Sequence, residues 1–270
     1  RTAQAAPLLF GITGTNGKTS VSYLLHGMLA QLGLVAGLST TAERKIGDLT
    51  VASSLTTPEA TEVHGLLARM RESEVRAVVL EVSAQALTRN RVDGLVFDVV
   101  GFLNLSHDHL DDYADMETYF AAKLPLFEPD RARRGVVSLD TEWGQRVVDA
   151  SRIPITTVSS TPGVDAAWTV TILQERAEYT EFELTPPEGQ SITTRVPVIG
   201  RHMAANAGLA IAMLVEAGFE LEAIAHALDQ DGGIDAFIPG RIERVSGPSG
   251  PAVYVDYGHS PDAFLTTMDA

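Results

Sequence analysis

Cysteine is missing altogether from this 270-residue sequence. Its absence removes disulfides, thiolate nucleophiles and cysteine-ligated zinc, and agrees with a reducing, cytoplasmic compartment. Any metal must be held by oxygen and imidazole. Positive charge is scarce too: 20 Lys and Arg stand against 35 Asp and Glu, a formal net charge of -15. That balance opposes a nucleic-acid surface, because affinity for a phosphate backbone comes from clustered Lys and Arg. An anionic substrate must then be held by local positive groups. No apolar run reaches the ~18 residues of a membrane-spanning helix, and the longest helical candidate, Ala204 to Val215, contains Asn206. The chain opens on Arg1 without a signal-peptide pattern and reads as an excised piece. What is present is a 45% hydrophobic composition, enough to bury a full core in one large or two modest domains.

The most informative stretch is Phe10-Gly11-Ile12-Thr13-Gly14-Thr15-Asn16-Gly17-Lys18-Thr19-Ser20, where an apolar run breaks into glycines and opens into a helical pattern. It reads as a phosphate-binding loop. Gly14 and Gly17 let the backbone turn tightly and aim N–H groups inward, Lys18 supplies a point charge, and the Thr19 hydroxyl suits a phosphate-bound magnesium. The strict G-x4-G-K-[ST] spacing fails by one residue, since Ile12 stands where its first glycine belongs. The strand-before, helix-after context carries the assignment instead.

Downstream, Ile46-Gly47-Asp48-Leu49 predicts a hairpin tip, and Thr57-Pro58 predicts the N-cap and first position of a helix running to about Arg71. Ala77 to Ser83 is a β-branched run of the kind buried on both faces of a parallel sheet. It places Glu81 at the carboxyl end of a strand, where open α/β sheets bind ligands. Asp98 to Leu105 repeats the design and ends in Ser106-His107-Asp108-His109-Leu110-Asp111-Asp112. That cluster is either a solvated acidic loop or a magnesium site, and its place beside the phosphate loop favours magnesium. A helix from Asp115 to about Leu124 puts Lys123 on its apolar stripe with Met116, Phe120 and Phe127; a lysine there ordinarily snorkels. Gly135 to Asp140 and Ile155 to Ser159 predict further buried strands, whereas 167–172, 179–184 and 192–198 alternate like a small antiparallel patch. Helical patterns return at Ala204 to Ala217 and Glu220 to Leu228. The expected fold is thus α/β: a P-loop nucleotide-binding domain with a mostly parallel sheet flanked by helices, the antiparallel patch, and the start of a second α/β domain after residue 239.

Several motifs in fixed order resemble the Mur ligases of peptidoglycan synthesis. They are Thr13 to Thr19, Leu55-Thr56-Thr57-Pro58-Glu59, Glu81-Val82-Ser83, Asn104-Leu105 with Asp108-His109-Leu110-Asp111, Ala121-Ala122-Lys123, Gly200-Arg201-His202, Pro239-Gly240-Arg241 and Asp256-Tyr257. The likeness is greatest to the MurE type, which adds the third residue to UDP-N-acetylmuramoyl-dipeptide. The resemblance implies a central ATP-binding domain over 1–239, the beginning of a truncated carboxyl-terminal domain over 240–270, and a monomeric enzyme with no membrane insertion. It also implies an acyl-phosphate mechanism using ATP, Mg2+ and a free amino acid. By the same likeness, Gly14 to Ser20 hold the phosphates, with Lys18 catalytic. Thr19 binds one magnesium; Glu81, His109 and a carbamylated Lys123 serve a second. Asn206 touches adenine, Arg241 the phosphates and Asp256 the ribose, while Thr56, Thr57, Ser83, Arg89 and Arg91 line the acceptor's path.

Three departures from the family's pattern bear on substrate contacts. Ser83-Ala84-Gln85 lacks a histidine, Arg89 replaces a glutamine, and Met203 replaces an asparagine expected near adenine. Two other readings share the loop: a folylpolyglutamate synthase or cyanophycin synthetase, and a non-ligating P-loop binding module. The Leu55 to Pro58 motif favours the Mur side over the first. The second gives no reason for Lys123 on an apolar stripe.

Overall fold

A computed structural model describes residues 6–108, 112–247 and 250–268. Eleven strands form one sheet: β1 (Leu8–Thr13), β2 (Ala36–Ser39), β3 (Glu43–Ile46), β4 (Leu49–Ala52), β5 (Ala77–Glu81), β6 (Phe97–Phe102), β7 (Ala132–Ser138), β8 (Ile155–Ser159), β9 (Trp168–Arg176), β10 (Tyr179–Thr185) and β11 (Ile192–Val196). Their order across the sheet is β11-β10-β9-β8-β7-β6-β1-β5-β2-β3-β4. The central run from β9 to β2 is parallel. Both wings are antiparallel: β3 and β4 on one side, β10 and β11 on the other.

The continuous apolar strands follow from two-sided burial. In β5, Ala77 and Val79 enter one core layer while Val78 and Leu80 enter the other, so no position can be polar until the strand ends at Glu81. One layer is closed by α1 (Lys18–Gln31) and α6 (Arg201–Glu216), whose Leu24, Leu25, Leu209 and Met213 are fully or almost fully buried. The other is closed by α2 (Ala60–Glu72), α3 (Ala84–Thr88), α4 (Met116–Lys123), a 3-10 turn over Leu124–Phe127, and α5 (Glu142–Ala150). Helix α7 (Leu221–Gln230) packs Ile224 and Leu228 into the α1 side. After Pro239 the chain makes a separate antiparallel pair, β12 (Glu243–Arg244) with β13 (Tyr254–Val255), and then α8 (Pro261–Met268).

β1 is the switch point of this topology. The chain leaves it for β2 on one side, passing over β5, and later crosses from β5 to β6 on the other. The carboxyl ends of β1, β5 and β6 therefore diverge around a crevice, the place where such sheets bind ligands.

The expected antiparallel patch is present as β9–β11, and because β9 also pairs parallel with β8 it continues the main sheet. One expectation is corrected here. The N-cap of α2 is Glu59, not Thr57, and the helix begins at Ala60. Thr57 is drawn away because its hydroxyl donates to Glu81 O at 2.8 Å and accepts from Ser83 N at 3.1 Å. A long-range tie to the end of β5 outweighs a local cap.

Candidate nucleotide-binding and acceptor site

The loop after β1 needs its glycines. Gly14 and Gly17 have φ of +152° and +88°. A Cβ would lie 3.0 Å from Leu103 Cβ at the first and 3.1 Å from Asn206 Oδ1 at the second, so the conformation strains a side chain at either position and the space is tight for one. The loop is clamped to the residues beyond β6. Thr15 N donates to Asn104 O at 3.0 Å, Asn16 N to Asn104 Oδ1 at 2.9 Å, and Asn104 Nδ2 back to Asn16 O at 3.1 Å. Lys18, in the first turn of α1, reaches back to donate to Gly14 O at 2.9 Å and Thr15 O at 2.8 Å. Its ammonium thus sits over the loop at the positive end of α1. Burial lowers the Lys18 pKa; the Glu81 carboxylate pushes it back up and the Arg241 guanidinium lowers it further.

The rim of β5 meets this loop through Thr19. Its hydroxyl donates to Glu81 Oε1 at 2.8 Å, and Arg241 Nη2 donates to the same hydroxyl at 3.3 Å. Glu81 is 1% exposed and accepts from Thr41 N at 3.2 Å. Thr41 Oγ1 lies 3.0 Å from both Glu81 Oε2 and Thr56 Oγ1. A buried carboxylate is retained only where donors surround it, as they do here. Ser83 caps α3, accepting from Ala86 N at 3.1 Å. Arg91 is buried and donates to Thr57 O at 3.2 Å while pairing with Glu59 at 2.6 Å.

Lys123 does not snorkel; it is 1% exposed. Its amine donates to Gly14 O at 3.2 Å, the carbonyl that Lys18 also uses, and lies 4.4 Å from the centre of the Tyr119 ring. Burial first, and the neighbouring Lys18 charge second, push its pKa well below the ordinary lysine range, with Asp108 opposing. The Tyr119 hydroxyl, 3.4 Å from Thr15 Oγ1, is itself pushed up to about 12 by burial.

Beside the loop opens a cavity of about 490 Å³ lined by Asn16, Gly17, Ser20, Asp140, His202, Asn206, Arg241 and Asp256, among others. Its size and its mixture of amide, imidazole and carboxylate groups suit a nucleoside. Arg241 reaches the loop with its guanidinium 5.0 Å from the centre of the Tyr257 ring. Asp256 also braces its own segment, accepting from Ile242 N at 2.9 Å and Gly258 N at 2.6 Å.

Most of the expected residues therefore converge. Gly14 to Ser20, Glu81, Lys123, Asn206, Arg241 and Asp256 surround one crevice, with Thr56, Thr57, Ser83 and Arg91 on its β5 side. Arg89 instead ends α3 in an exposed position. His109 lies outside the described residues, as do Leu110 and Asp111 of its motif. Among the described residues no three His, Asp or Glu side chains form a metal cluster; the described oxygen pair is Thr19 with Glu81. Sequence reasoning missed Thr41, which orients Glu81, and Tyr119, which covers Lys123. Thr41 had a usable signal, a polar residue just past the carboxyl end of a buried strand. Tyr119 had none, because an aromatic residue on an apolar helix face is ordinary core.

Residues 12–214 match the Mur ligase middle domain. The chain is 63% identical over 270 residues to UDP-N-acetylmuramyl-tripeptide synthetase of Leifsonia xyli subsp. xyli, covering 100% of this chain and 52% of that protein. It is 41% identical over 263 residues to UDP-N-acetylmuramoyl-L-alanyl-D-glutamate--2,6-diaminopimelate ligase of Streptomyces avermitilis, covering 97% and 51%. The chain thus spans about half the length of the curated relatives it matches. In fold it is similar to a solved UDP-N-acetylmuramoyl-L-alanyl-D-glutamate--2,6-diaminopimelate ligase, with TM-score 0.82 at 24% identity over 98% of this chain and 53% of that one. Mycobacterium tuberculosis folylpolyglutamate synthase complexed with ADP also shares the fold, at TM-score 0.75 and 20% identity over 98% and 65%.

Proposed function

This chain belongs to the Mur ligase family, and we propose that it is the ATP-binding centre of a cytoplasmic, monomeric ligase that joins the third amino acid to UDP-N-acetylmuramoyl-dipeptide. Among the described residues no helix is long and apolar enough to cross a membrane. The observation that carries the reading is the convergence of Lys18 and Lys123 on the Gly14 carbonyl, beside the Thr19–Glu81 pair. A simple nucleotide switch needs the first lysine but has no use for a second, fully buried one.

A carboxylate is a poor electrophile, so amide formation requires its activation. In the proposed reaction an acceptor carboxylate oxygen takes the γ-phosphoryl group of ATP, releasing ADP and leaving an acyl phosphate; the incoming amine then displaces phosphate. Transfer between two anions demands concentrated positive charge. Lys18 supplies it at the loop, with the N-terminal N–H groups of α1, and Arg241 supplies it from across the crevice. The donor chemistry also fits magnesium: a hydroxyl and a carboxylate 2.8 Å apart are the hard oxygen ligands that ion prefers. Thr19 would hold one ion and Glu81 a second, and when bound these ions would neutralise charge on the phosphate oxygens.

Lys123 fits a carbamate-forming amine, because a lysine with a depressed pKa presents a neutral nitrogen to carbon dioxide. The product would be an anion in place of a cation, able with Glu81 and His109 to serve a second magnesium. Asn206 would meet adenine and Asp256 the ribose. Residues 1–239 would form the central domain and 240–270 the start of the next.

Full-length protein given ATP, UDP-N-acetylmuramoyl-dipeptide and, separately, diaminopimelate, lysine or ornithine should produce ADP over many turnovers only when acceptor and the right amine are both present. Acceptor-independent hydrolysis at the same rate would instead identify a nucleotide switch. The 270-residue chain alone should fold without ligating.

A further inference from the structure

The tip of Arg91 is occupied by a carboxylate from the protein itself. Arg91 is 7% exposed and Glu59 is 54% exposed, yet their Nη2 and Oε1 atoms lie 2.6 Å apart. The arginine is fixed from behind: Nη1 donates to Thr57 O at 3.2 Å, and Thr57 is itself tied to Glu81 O and Ser83 N. Its buried Nε has no hydrogen-bond partner among the described residues. Glu59 is held far more loosely. It is the N-cap of α2 yet makes no side-chain cap bond, so its carboxylate can swing into solvent by side-chain rotation alone. A fixed, incompletely satisfied guanidinium facing a half-exposed carboxylate is an arrangement that lets one anion be exchanged for another.

We infer that Glu59 is a resident substitute for an acceptor carboxylate, occupying Arg91 until the acceptor displaces it. This rests on the proposed function, in which Arg91 lines the acceptor's path. Exchange of one carboxylate for another keeps Arg91 paired throughout, so the buried cation is never stranded. It also lowers apparent acceptor affinity by the fraction of time that Glu59 holds the site. Small anions are rejected, since a lone carboxylate in solution must compete with one tethered next to its target.

The test uses full-length protein carrying Glu59→Gln, with Glu59→Asp as a second variant whose shorter side chain keeps the charge but loses reach. With saturating ATP and amine, the acceptor KM should fall about fivefold in Glu59→Gln, as expected when a site occupied about four-fifths of the time is freed, while the KM for ATP stays unchanged. Acetate should become a competitive inhibitor against the acceptor in Glu59→Gln but not in the unsubstituted protein, and the KM effect should vanish in an Arg91→Gln background. A KM that rises or stays the same, together with no acetate competition, overturns the inference. Absence of any ligation by the unsubstituted protein would overturn the proposed function instead. In that case acetate-dependent thermal stabilisation, expected only when Glu59 is replaced, still decides the question of Glu59.

Discussion

The phosphate-loop rim and the segment after Pro239 both deliver charged residues to the crevice, but they hold them in different ways. On the rim, Glu81 and Lys123 are buried and Lys18 half-buried, and each is attached to a carbonyl of the loop after β1 or a hydroxyl at the start of α1, beside parallel strands locked on both sides. In the later segment, Arg241 meets the loop through one 3.3 Å contact. Its neighbours Val253, Tyr257, Phe264 and Leu265 stand exposed. Among the described residues Asp256 accepts hydrogen bonds from Ile242 N, Gly258 N and Thr267 Oγ1, all after Pro239. The rim is pre-organised for charge by the sheet; the later segment is poised on a two-stranded ribbon, a unit of marginal stability by itself. Nucleotide chemistry should depend steeply on the first and modestly on the second.

The steepest test is Lys18→Ala. It removes the loop's own cation, whose charge-assisted bonds are worth about 1.5–3 kcal/mol each, so calorimetry on the full-length protein should show nucleotide affinity reduced at least ~100-fold with the fold intact. Unchanged affinity would break the comparison at its root. Lys123→Ala should come next. Ligation should fall by most of its rate while nucleotide binding persists, and short carboxylic acids able to fill the vacated space should restore part of it. Full activity in the alanine variant would remove Lys123 from the chemistry.

Arg241→Ala should weaken nucleotide binding only about tenfold, or about 1.4 kcal/mol, and leave the melting temperature unchanged, since few packed atoms depend on it. A loss equal to that of Lys18→Ala would show the later segment to be as pre-organised as the rim. Thr57→Val should cost about 1–2 kcal/mol of stability in denaturant titration, because it leaves Ser83 N without its acceptor in a buried site.

The finest distinction is one of pH. The pKa of Lys123 is depressed in the folded chain, so the unfolded state binds the extra proton. Its contribution to stability is therefore fully present only above the unfolded lysine value of about 10.4 and is lost as pH falls toward the lowered folded value. Lys123→Met should be more stable than the unsubstituted chain near neutrality, and its melting temperature should climb less between pH 7 and pH 10. An identical slope in both proteins would mean that Lys123 is not the buried base described here.

The strands, the glycine loop and the place of Glu81 at a strand end were legible because each is written locally. Two-sided burial demands an unbroken apolar run, and a left-handed turn demands glycine. The loop's opening into α1 was legible in the same way. Thr57 was misread for the same reason: the local code for a helix cap was satisfied, but the end of β5 offered better partners 24 and 26 positions away. Thr41, 40 positions from Glu81, carried its role only through the crossing of β2 beside β5.

Lys123 shows where that boundary falls. Its sequence position fixed the helix face and nothing more, and a lysine on an apolar stripe normally finds water. Whether it snorkels is decided by what stands above the stripe, and here the loop after β1 closes over it, with Gly14 O as acceptor 109 positions away and the Tyr119 ring beside the amine. The sequence by itself determined the α/β sheet, the phosphate loop and which residue types reach the crevice, because these depend on neighbours within one element. The tertiary structure alone decided which charges are buried together, because burial depends on the layer that covers a residue. That layer comes from a distant part of the chain.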